Sequence, residues 1–457
     1  MSSAAAAELG DFLAAHPQVQ AAQLLLTDPS GVVRGKSVRV HELQRIFTDG
    51  RPVAGSILGL DITGEDVDAT GLVWDTGDAD MICRPVPRSL VLAPWIATPT
   101  AQLMLSMYTS SGAAAAADPR HALAAALERL RARGYTAVLA CEIEFYLLRE
   151  QDGGAANPVL LPAGGGRASE RHKIDAYSLT RLDDLAPLFD EVFAAAQAQG
   201  LPAETLMSEY APGQFEITLT HRADALRAVD EAVMFKRLLK GVAAKHGYIA
   251  SFMAKPFAER SGSGLHLHIS LADRDGANCF AAADPAGSLL CRHAIGGLRQ
   301  TMAESFLAFA PNANSYRRFR AQSYAPTAAI WGINNRSVSL RVPSGPPASR
   351  HVEHRIAGAD ANLYVAATAV LAGVAHGIEQ QIDPGPPTEG NGYLQSAPRE
   401  LPQTWQEAID RAAASKFLAA ALGPGFLDIY VAIKRQECER FSAQVTELDY
   451  SWYLRAV

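Results

Sequence analysis

The sequence of 457 residues has few cysteines, no long apolar run and no excess of basic residues. Its five cysteines are scattered and form no Cys-x-x-Cys pair, which argues against a disulfide framework and a thiolate zinc site. No run of about 18 apolar residues predicts a membrane span, and the N-terminus lacks the basic and then apolar order of a secretory signal. The net charge of −7 offers no basic surface to neutralise phosphates. We therefore expect a cytoplasmic protein that binds neither nucleic acid nor membranes.

The composition is that of an ordinary globular protein, and the length leaves room for two domains. The hydrophobic fraction is 48% and the charged fraction 19%. Residues 21–26 and 32–40 flank a turn at 28–31, which predicts a hairpin, and residues 103–108 predict a further strand. The first part of the chain is therefore expected to form a small, mostly β domain.

A change of pattern follows this region. The small residues at 110–117 predict a linker, and Asp118 and Pro119 are the N-cap and first residue of a helix. Two more amphipathic helices are predicted at residues 183–199 and 224–246. The predicted domains are residues 1–112 and 113–457.

The strongest signal is a period-two alternation with an unusual polar face. In the predicted strand 136–148, Glu142 and Glu144 lie on one face and apolar residues on the other. Segment 265–271 likewise places two histidines and a serine on one face. The same kind of face is predicted for Glu216 in 215–219, for Ser339 and Arg341 in 337–342, and for Glu353 and Arg355.

These residue types point to a common chemistry if the polar faces line one cavity. Carboxylates that share a cavity repel one another and need cations, and hard divalent ions such as Mg²⁺ or Mn²⁺ prefer oxygen ligands with an occasional imidazole. Guanidinium groups suit phosphate and substrate carboxylates. Metal, phosphate and carboxylate together favour phosphoryl transfer from ATP to an acid.

Each feature also has an ordinary structural interpretation. A Glu-x-Glu pair on a strand usually faces solvent, a His-x-His pair is often incidental, and a single arginine is usually a surface or ion-pair residue. The glycines of the 262–264 segment are a turn by default. Only the occurrence of all these features in one chain favours a site.

At this point the sequence resembles the type I glutamine synthetase family over nearly its whole length. The motifs that carry the resemblance are Asp28-Pro29-Ser30-Gly31 with Arg34-Gly35-Lys36, Asp118-Pro119-Arg120, Glu142-Ile143-Glu144-Phe145, Ser208-Glu209-Tyr210 through Gln214-Phe215-Glu216, Lys255-Pro256-Phe257, Gly262-Ser263-Gly264-Leu265-His266-Leu267-His268, Asn314-Ser315-Tyr316-Arg317-Arg318, Asn335-Arg336-Ser337 through Arg341-Val342-Pro343, and Glu353-His354-Arg355.

The resemblance implies an α+β fold. Its parts are a small N-terminal β-grasp domain and a large catalytic domain built on an antiparallel sheet with flanking helices. It also implies a homo-oligomer, a dodecamer of two hexameric rings, in which each active site lies between subunits.

The resemblance further implies two or more divalent metal ions per site, ATP as co-substrate, and a role for each matched residue. It places Glu144, Glu209 and Glu216 at the first metal and Glu142, His266 and Glu353 at the second. Glutamate is assigned to Gly262, Arg318 and Arg355, the nucleotide to His268, Ser270 and Arg341, and the transferring phosphoryl group to Arg336 and Arg341.

The sequence departs from the family at the ammonium site. Tyr324 occupies the position of the glutamate on a mobile flap, and Ala54, beside Ser56, occupies that of an aspartate. Tyr177 matches a tyrosine that lines this site. Loss of two acidic groups removes the means of capturing ammonium, whereas an organic amine brings apolar surface that a tyrosine can contact. Asp61 and Glu65 are the candidates to accept the proton of the amine.

These departures resemble the γ-glutamylpolyamine synthetase branch. We therefore expect an ATP-dependent ligase that joins glutamate to an organic amine, such as putrescine, through γ-glutamyl phosphate. One alternative is a glutamine synthetase that uses ammonium, which Tyr324 argues against. Another is a structural relative without activity, which the complete set of six candidate metal ligands argues against.

Overall fold

Two β-sheets and the helices packed against them make up the computed structural model, which describes residues 3–149, 159–160, 174–395 and 401–457. The strands are β1 (Ala21–Thr27), β2 (Val33–Arg39), β3 (Arg51–Ala54), β4 (Asp80–Pro85), β5 (Val91–Leu92), β6 (Thr100–Tyr108), β7 (Thr136–Arg149), β8 (Val159–Leu160), β9 (Ala203–Ser208), β10 (Gln214–Arg222), β11 (Ile249–Ser251), β12 (Leu265–Ala272), β13 (Trp331–Ile333), β14 (Leu340–Val342) and β15 (Val352–His354).

The α-helices surround these sheets. They are α1 (Ser3–Ala15), α2 (Leu43–Asp49), α3 (Pro119–Ala132), α4 (Leu179–Asp184), α5 (Ala186–Ala198), α6 (Ala225–Lys245), α7 (Leu289–Thr301), α8 (Phe306–Phe309), α9 (Leu363–Glu379), α10 (Trp405–Ala414), α11 (Lys416–Leu422), α12 (Pro424–Ser442) and α13 (Glu447–Tyr453).

The N-terminal sheet has the strand order β2-β1-β6-β4-β3, with β5 also paired to β6. Strands β1 and β6 are parallel, and the other pairs are antiparallel. The predicted hairpin is confirmed, since β1 pairs with β2 and the turn between them places Gly31 at φ +81°. A residue with a Cβ is strained at this backbone angle, so glycine favours the turn.

The core of this sheet extends beyond the N-terminal region. Ile429 and Ile433 of α12 pack into the same hydrophobic cluster as Leu24 and Leu103. Ala115, which the sequence placed in a linker, is also buried there, and its N–H donates to the Met107 carbonyl at 3.0 Å. Ala115 and Ala117 of the segment 110–117 are therefore packed, whereas residues 110–114 are exposed, and the domain division at residue 112 stays a prediction.

The second sheet carries the polar faces. Its strand order is β13-β14-β15-β12-β7-β10-β9, with β8 and β11 paired to β7. All its neighbours are antiparallel except β13 and β14, so the predicted antiparallel sheet is confirmed. Leu139, Cys141 and Ile143 are buried in the main core, as the alternation in β7 predicts.

The helix predictions hold in part. The Asp118 side chain accepts a hydrogen bond from the Arg120 N–H and caps α3, as predicted. The predicted helix 183–199 is confirmed as α5 (Ala186–Ala198), but it begins three residues later than predicted, because α4 ends at Asp184 and Pro187 lies in the first turn of α5. A proline there cannot continue a preceding helix, since its ring excludes the bond to the earlier turn.

Among the described residues, no single helix is both long and apolar enough to cross a membrane. Helices α11 and α12 meet that test only jointly, and a bend of 110° separates them.

The predicted strand 337–342 is also shorter than expected. Only Leu340–Val342 forms β14. The Asn335 side chain accepts hydrogen bonds from the N–H and the hydroxyl of Ser337, at 2.9 and 2.6 Å, and so folds the segment into a turn. Local side-chain bonds of this kind compete with sheet pairing.

Candidate active site

The register of the second sheet brings the predicted polar residues into one row. Glu142 of β7 pairs directly with His266 of β12, and Glu144 pairs with Glu216 of β10. On the far side of β12, His268 pairs with Glu353. Directly opposed residues place their Cβ atoms about 5 Å apart. Four separate segments of the chain therefore place their polar side chains in one row.

The ligand atoms in this row are close enough to share metal ions. In the part of the chain that the structure describes, three groups have donor atoms that all lie within 4.8 Å of one another. They are Glu144 with Glu209 and Glu216, Glu142 with Glu216 and His266, and Glu142 with His268 and Glu353. The six residues that the sequence proposed as ligands all belong to these groups, and His268 joins them.

The two histidines connect the carboxylates. His266 Nδ1 lies 3.1 Å from Glu142 Oε2 and 3.5 Å from Glu353 Oε1. His268 Nε2 lies 3.0 Å from the other oxygen of Glu142. His268 Nδ1 lies 3.0 Å from His351 Nε2. The predicted second set, Glu142 with His266 and Glu353, is thus a group of mutual neighbours.

The carboxylates differ in their electrostatic environments. Burial, together with the charges of Glu142 and Glu144, raises the pKa of Glu216 to about 10. Burial also raises the pKa of Glu144 and of Glu209. Although burial opposes it, the Arg355 charge lowers the pKa of Glu353 to about 2. On the Glu216 side, the row therefore holds more buried carboxylate than the cationic side chains of the protein balance.

This imbalance fits bound divalent cations. The donor set consists of five carboxylates and one or two imidazoles, which are ligands suited to Mg²⁺ or Mn²⁺. Isolated buried carboxylates are costly unless a cation or a proton neutralises them. A divalent ion beside Glu216 would replace the proton that its raised pKa otherwise retains.

Three of the four predicted arginines lie at the edge of the carboxylate row. Arg341 Nη1 lies 2.8 Å from Glu353 Oε2, and Arg355 pairs with the other oxygen of Glu353. The buried Arg318 donates to the Ile356 carbonyl at 2.8 Å. Arg336 lies on an exposed loop before β14. Its charge reaches Glu209 and opposes the rise in the pKa of that carboxyl.

The loop before β12, which contains Gly262 and Gly264, contacts the carboxylate row. Gly264 donates its N–H to Glu144 Oε2 at 2.7 Å. A Cβ on Gly262 would lie 2.6 Å from the Ala254 carbonyl oxygen and 2.8 Å from Arg318 Cγ, so only glycine fits there. Ser270 lies two residues beyond His268 on β12 and is half-buried.

Sequence reasoning missed two residues that orient this loop. Gln214 donates its amide to the Gly262 carbonyl at 3.0 Å and to Glu144 at 3.3 Å. The Tyr146 hydroxyl donates to the Ser261 carbonyl at 2.7 Å. Gln214 lies two residues before Glu216, and Tyr146 two residues after Glu144. The same alternation that identified the glutamates could have found both.

The predicted acceptor residues belong to different elements of the structure. Tyr324 and Tyr177 are exposed, at 63% and 71%, and both have left-handed backbones, with φ near +57° and +56°. Ala54 ends β3 and pairs with Asp80, and Ser56 follows in a short 3₁₀ turn. Among the described residues, no hydrogen bond joins Ala54 or Ser56 to either tyrosine.

Asp61 is a poor candidate for the proton acceptor. Its buried carboxylate accepts hydrogen bonds from the N–H and the hydroxyl of Thr63, at 2.8 and 2.7 Å, and pairs with Arg440. Burial alone would raise its pKa, but the hydrogen bonds from Thr63 and Glu65 hold the pKa below its ordinary value. Glu65 pairs with the same arginine at 2.7 Å. Both carboxylates thus hold the loop of residues 61–65 against α12.

The pattern of glutamine synthetase, catalytic domain, matches residues 116–453. The chain belongs to the glutamine synthetase family. The family that the sequence motifs indicated is therefore confirmed, and with it the α+β fold.

Relatives in this family act on different amines. The chain is 37% identical to the gamma-glutamylputrescine synthetase PuuA of Escherichia coli K12, over 99% of this chain and 95% of that protein. It is 32% identical to a glutamate–isopropylamine ligase of a Pseudomonas species, over 97% and 96% of the two chains. A gamma-glutamylethanolamide synthetase, GlnA4 of Streptomyces coelicolor, is also 32% identical, over 97% of this chain and 93% of that protein.

A solved structure gives the same picture of the fold. The GmaS structure in complex with ADP superposes with a TM-score of 0.84 at 26% identity and covers 99% of this chain and 100% of that one. GmaS without ligand gives 0.83 at 27% identity, with coverage of 97% and 98%.

Proposed function

We propose that this member of the glutamine synthetase family is an ATP-dependent ligase that forms a γ-glutamyl amide from glutamate and an organic amine. The observation that carries the proposal is the single row of buried carboxylates, imidazoles and guanidiniums across β10, β7, β12 and β15. Divalent cations held by the carboxylates and imidazoles, together with the guanidiniums, would neutralise the phosphates of ATP beside an acid. The named activities of three relatives, each on a different organic amine, support the amine class.

Metal ions have a defined place in this proposal. Glu144, Glu209 and Glu216 would hold one Mg²⁺ or Mn²⁺, and Glu142, His266 and Glu353 a second. Bound there, divalent cations offset the repulsion between the γ-carboxylate of glutamate and the phosphates of ATP. His268 lies against Glu142, so it would orient that ligand from the nucleotide side, next to Ser270.

The arginines serve the two ends of the reaction. Arg318 and Arg355, beside Gly262, would hold the carboxylates of glutamate. Arg341 and Arg336 would meet the charge that develops on the transferring phosphoryl group. The γ-carboxylate oxygen attacks the terminal phosphorus of ATP, the bond to ADP breaks, and γ-glutamyl phosphate forms. The amine nitrogen then attacks the γ-carbonyl carbon, and phosphate and a proton leave.

The acceptor site is the second part of the proposal. Tyr324 provides an aromatic face and no negative charge where an ammonium site needs a carboxylate. Tyr177 supplies a second ring, and Ala54 and Ser56 leave space for a carbon chain. An organic ammonium group can be held over such rings by cation–π attraction. A diamine or small monoamine, such as putrescine, is the acceptor class that we favour.

We further propose that the active protein is a homo-oligomer, a dodecamer of two hexameric rings in which Ala54 and Ser56 complete the site of a neighbouring subunit. In one chain these residues have no described contact with Tyr324. The C-terminal segment supports association, because its apolar side chains face solvent over a short stretch. They are Val445, Leu448, Tyr450, Trp452, Tyr453, Leu454 and Val457. The five free cysteines support a reducing compartment such as the cytoplasm.

The decisive experiment measures glutamate-dependent release of phosphate from ATP and Mg²⁺, with ammonium or one of a panel of organic amines, and identifies the product by mass. Turnover with putrescine, isopropylamine or ethanolamine, and little with ammonium, is the expected result. Turnover with ammonium alone would instead make the protein a glutamine synthetase. No turnover with any amine, by protein that binds ATP and metal, would support the structural alternative.

A further inference from the structure

The loop that carries Tyr324 accepts a hydrogen bond from the side chain of Tyr393. The Tyr393 hydroxyl donates to the Ala325 carbonyl at 3.0 Å. Within the loop, Gln322 and Tyr324 both have left-handed backbones, with φ +59° and +57°. Non-glycine residues in this region are strained and persist only where their surroundings hold them. The bond from Tyr393 is therefore placed where the loop needs support.

The same short segment is bound at its other end to the loop of Arg336. The Gly392 N–H donates to the Ser337 hydroxyl at 2.8 Å, and the Asn335 amide donates to the Gly390 carbonyl at 2.8 Å. A Cβ on Gly392 would lie 2.9 Å from the Ser337 carbonyl oxygen, so the backbones of the two segments are in close contact. Residues 390–393 thus bridge two loops.

The two loops face different halves of the reaction in the proposed function. The loop of residues 335–337 carries Arg336, which lies on the phosphoryl side, whereas residues 323–325 carry Tyr324 on the acceptor side. Arg318 begins the latter loop, and its backbone carbonyl accepts a hydrogen bond from the Ser323 hydroxyl at 3.3 Å. A displacement at either end of the bridge would therefore reach the other.

We infer that Tyr393 is a positioning residue that couples the acceptor loop to the phosphoryl loop and so keeps the acceptor side ordered during amide formation. The inference rests on the proposed function. If the loop is loose, water instead of the amine attacks the γ-carbonyl carbon, the bond to phosphate breaks, and glutamate is regenerated. ATP is then consumed without amide formation.

The test compares phosphate released with amide formed in wild type and Tyr393→Phe, which keeps the ring and removes the hydroxyl. Loss of one hydrogen bond predicts a rise of about fivefold in the KM for the amine. The ratio of phosphate to amide should rise above one, while the KM values for ATP and glutamate stay as in wild type. A ratio that stays at one, with an unchanged KM for the amine, overturns the inference.

A matched control separates positioning from general loss of stability. Tyr430→Phe removes a hydroxyl that also donates to a backbone carbonyl, that of Leu307 at 3.2 Å, in the core. It should lower the melting temperature and leave the ratio unchanged. An equal rise of the ratio in both variants would reduce Tyr393 to a structural role and overturn the inference.

A second variant tests the other end of the bridge. Gly392→Ala forces a Cβ against Ser337 and should also raise the ratio, and the effects of Tyr393→Phe and Tyr324→Ala should be non-additive. Additive effects, or a Gly392→Ala enzyme whose ratio of phosphate to amide stays at one, contradict the inference.

The inference can be decided even if the proposed function fails. If the wild type uses ammonium alone, the proposed function is wrong, and the ratio of phosphate to glutamine is measured instead.

Discussion

Arg341 and Glu353 face each other across β14 and β15, with Nη1 of the guanidinium 2.8 Å from Oε2 of the carboxylate. Arg355 holds the second oxygen of the same carboxylate. One buried glutamate thus fixes two arginines, and it also lies 3.5 Å from His266. The proposed metal ligand and the proposed phosphoryl and glutamate residues are therefore parts of one ion network.

The first prediction concerns Arg341. Arg341→Lys keeps the charge but loses the planar group that reaches Glu353 and Asn334 together. We expect kcat for glutamate-dependent phosphate release to fall by about 100-fold, the scale for one transition-state donor. Arg131→Lys, on the exposed face of α3, is the control and should retain wild-type activity. An Arg341→Lys enzyme within twofold of wild type would contradict the role of this residue.

The second prediction concerns metal removal and Glu216. Chelation should lower the melting temperature of the wild type, because the buried carboxylates lose their counter-ions. Since its pKa of about 10 keeps Glu216 protonated in metal-free protein at neutral pH, Glu216→Gln should change the chelated protein little. The variant should, however, gain much less stability than wild type when Mg²⁺ is added. Differential scanning calorimetry with and without chelator measures both effects, with exposed Glu204→Gln as control.

The third prediction concerns the acceptor. Tyr324→Glu should raise kcat/KM for ammonium and lower it for the organic amine. A carboxylate attracts the small ammonium ion, whereas the organic amine loses its apolar contact with the tyrosine ring. Tyr324→Phe, which keeps the ring, should retain the preference for the organic amine. An unchanged amine profile in Tyr324→Glu would show that another position selects the acceptor.

The fourth prediction concerns Lys434, which is fully buried in α12. Its ammonium group donates to the Ser30 hydroxyl at 3.0 Å and to Glu437 at 2.7 Å, and so ties the N-terminal turn to the C-terminal helix. Lys434→Met leaves Glu437 without its cation and should cost about 3–5 kcal/mol of unfolding free energy. The double variant with Glu437→Gln should recover part of this loss. Urea unfolding of the three proteins measures it, and a loss below about 1 kcal/mol would contradict the argument.

The fifth prediction concerns assembly. Trp452→Ser with Leu454→Ser removes two of the exposed apolar side chains of the C-terminal segment and should shift the protein to smaller species in size-exclusion chromatography. Exposed Arg131→Ser is the control and should leave the elution volume unchanged. A wild type that elutes as a monomer in the presence of metal would contradict the proposed shared site.

Much of the candidate site could be predicted from short stretches of sequence. Alternation in β7, β10 and β12 separated Glu142, Glu144 and Glu216 from the buried apolar face, because side chains of a strand point alternately to its two sides. Glu209 has no such signal, since it follows the last residue of β9, and only the family motif indicated it. The Asp118 cap and the hairpin turn were also readable, as both depend on neighbouring residues.

Other features depend on residues that are far apart in the chain. Asp61 was a candidate proton acceptor from the sequence, but its carboxylate pairs with Arg440, 379 positions away. The break at Pro187 and the turn at Asn335 were misjudged because a local competitor outweighed the periodic pattern.

The sequence by itself determined which side chains share a face of each strand, where the helix after Asp118 begins, and to which family the chain belongs. Only the tertiary structure decided that β7 lies between β10 and β12 in the register that opposes Glu142 to His266 and Glu144 to Glu216. It also decided that Tyr393 meets the Tyr324 loop. The physical reason is that side-chain alternation is set by the local backbone, whereas strand order and loop contacts depend on the packing of the whole core.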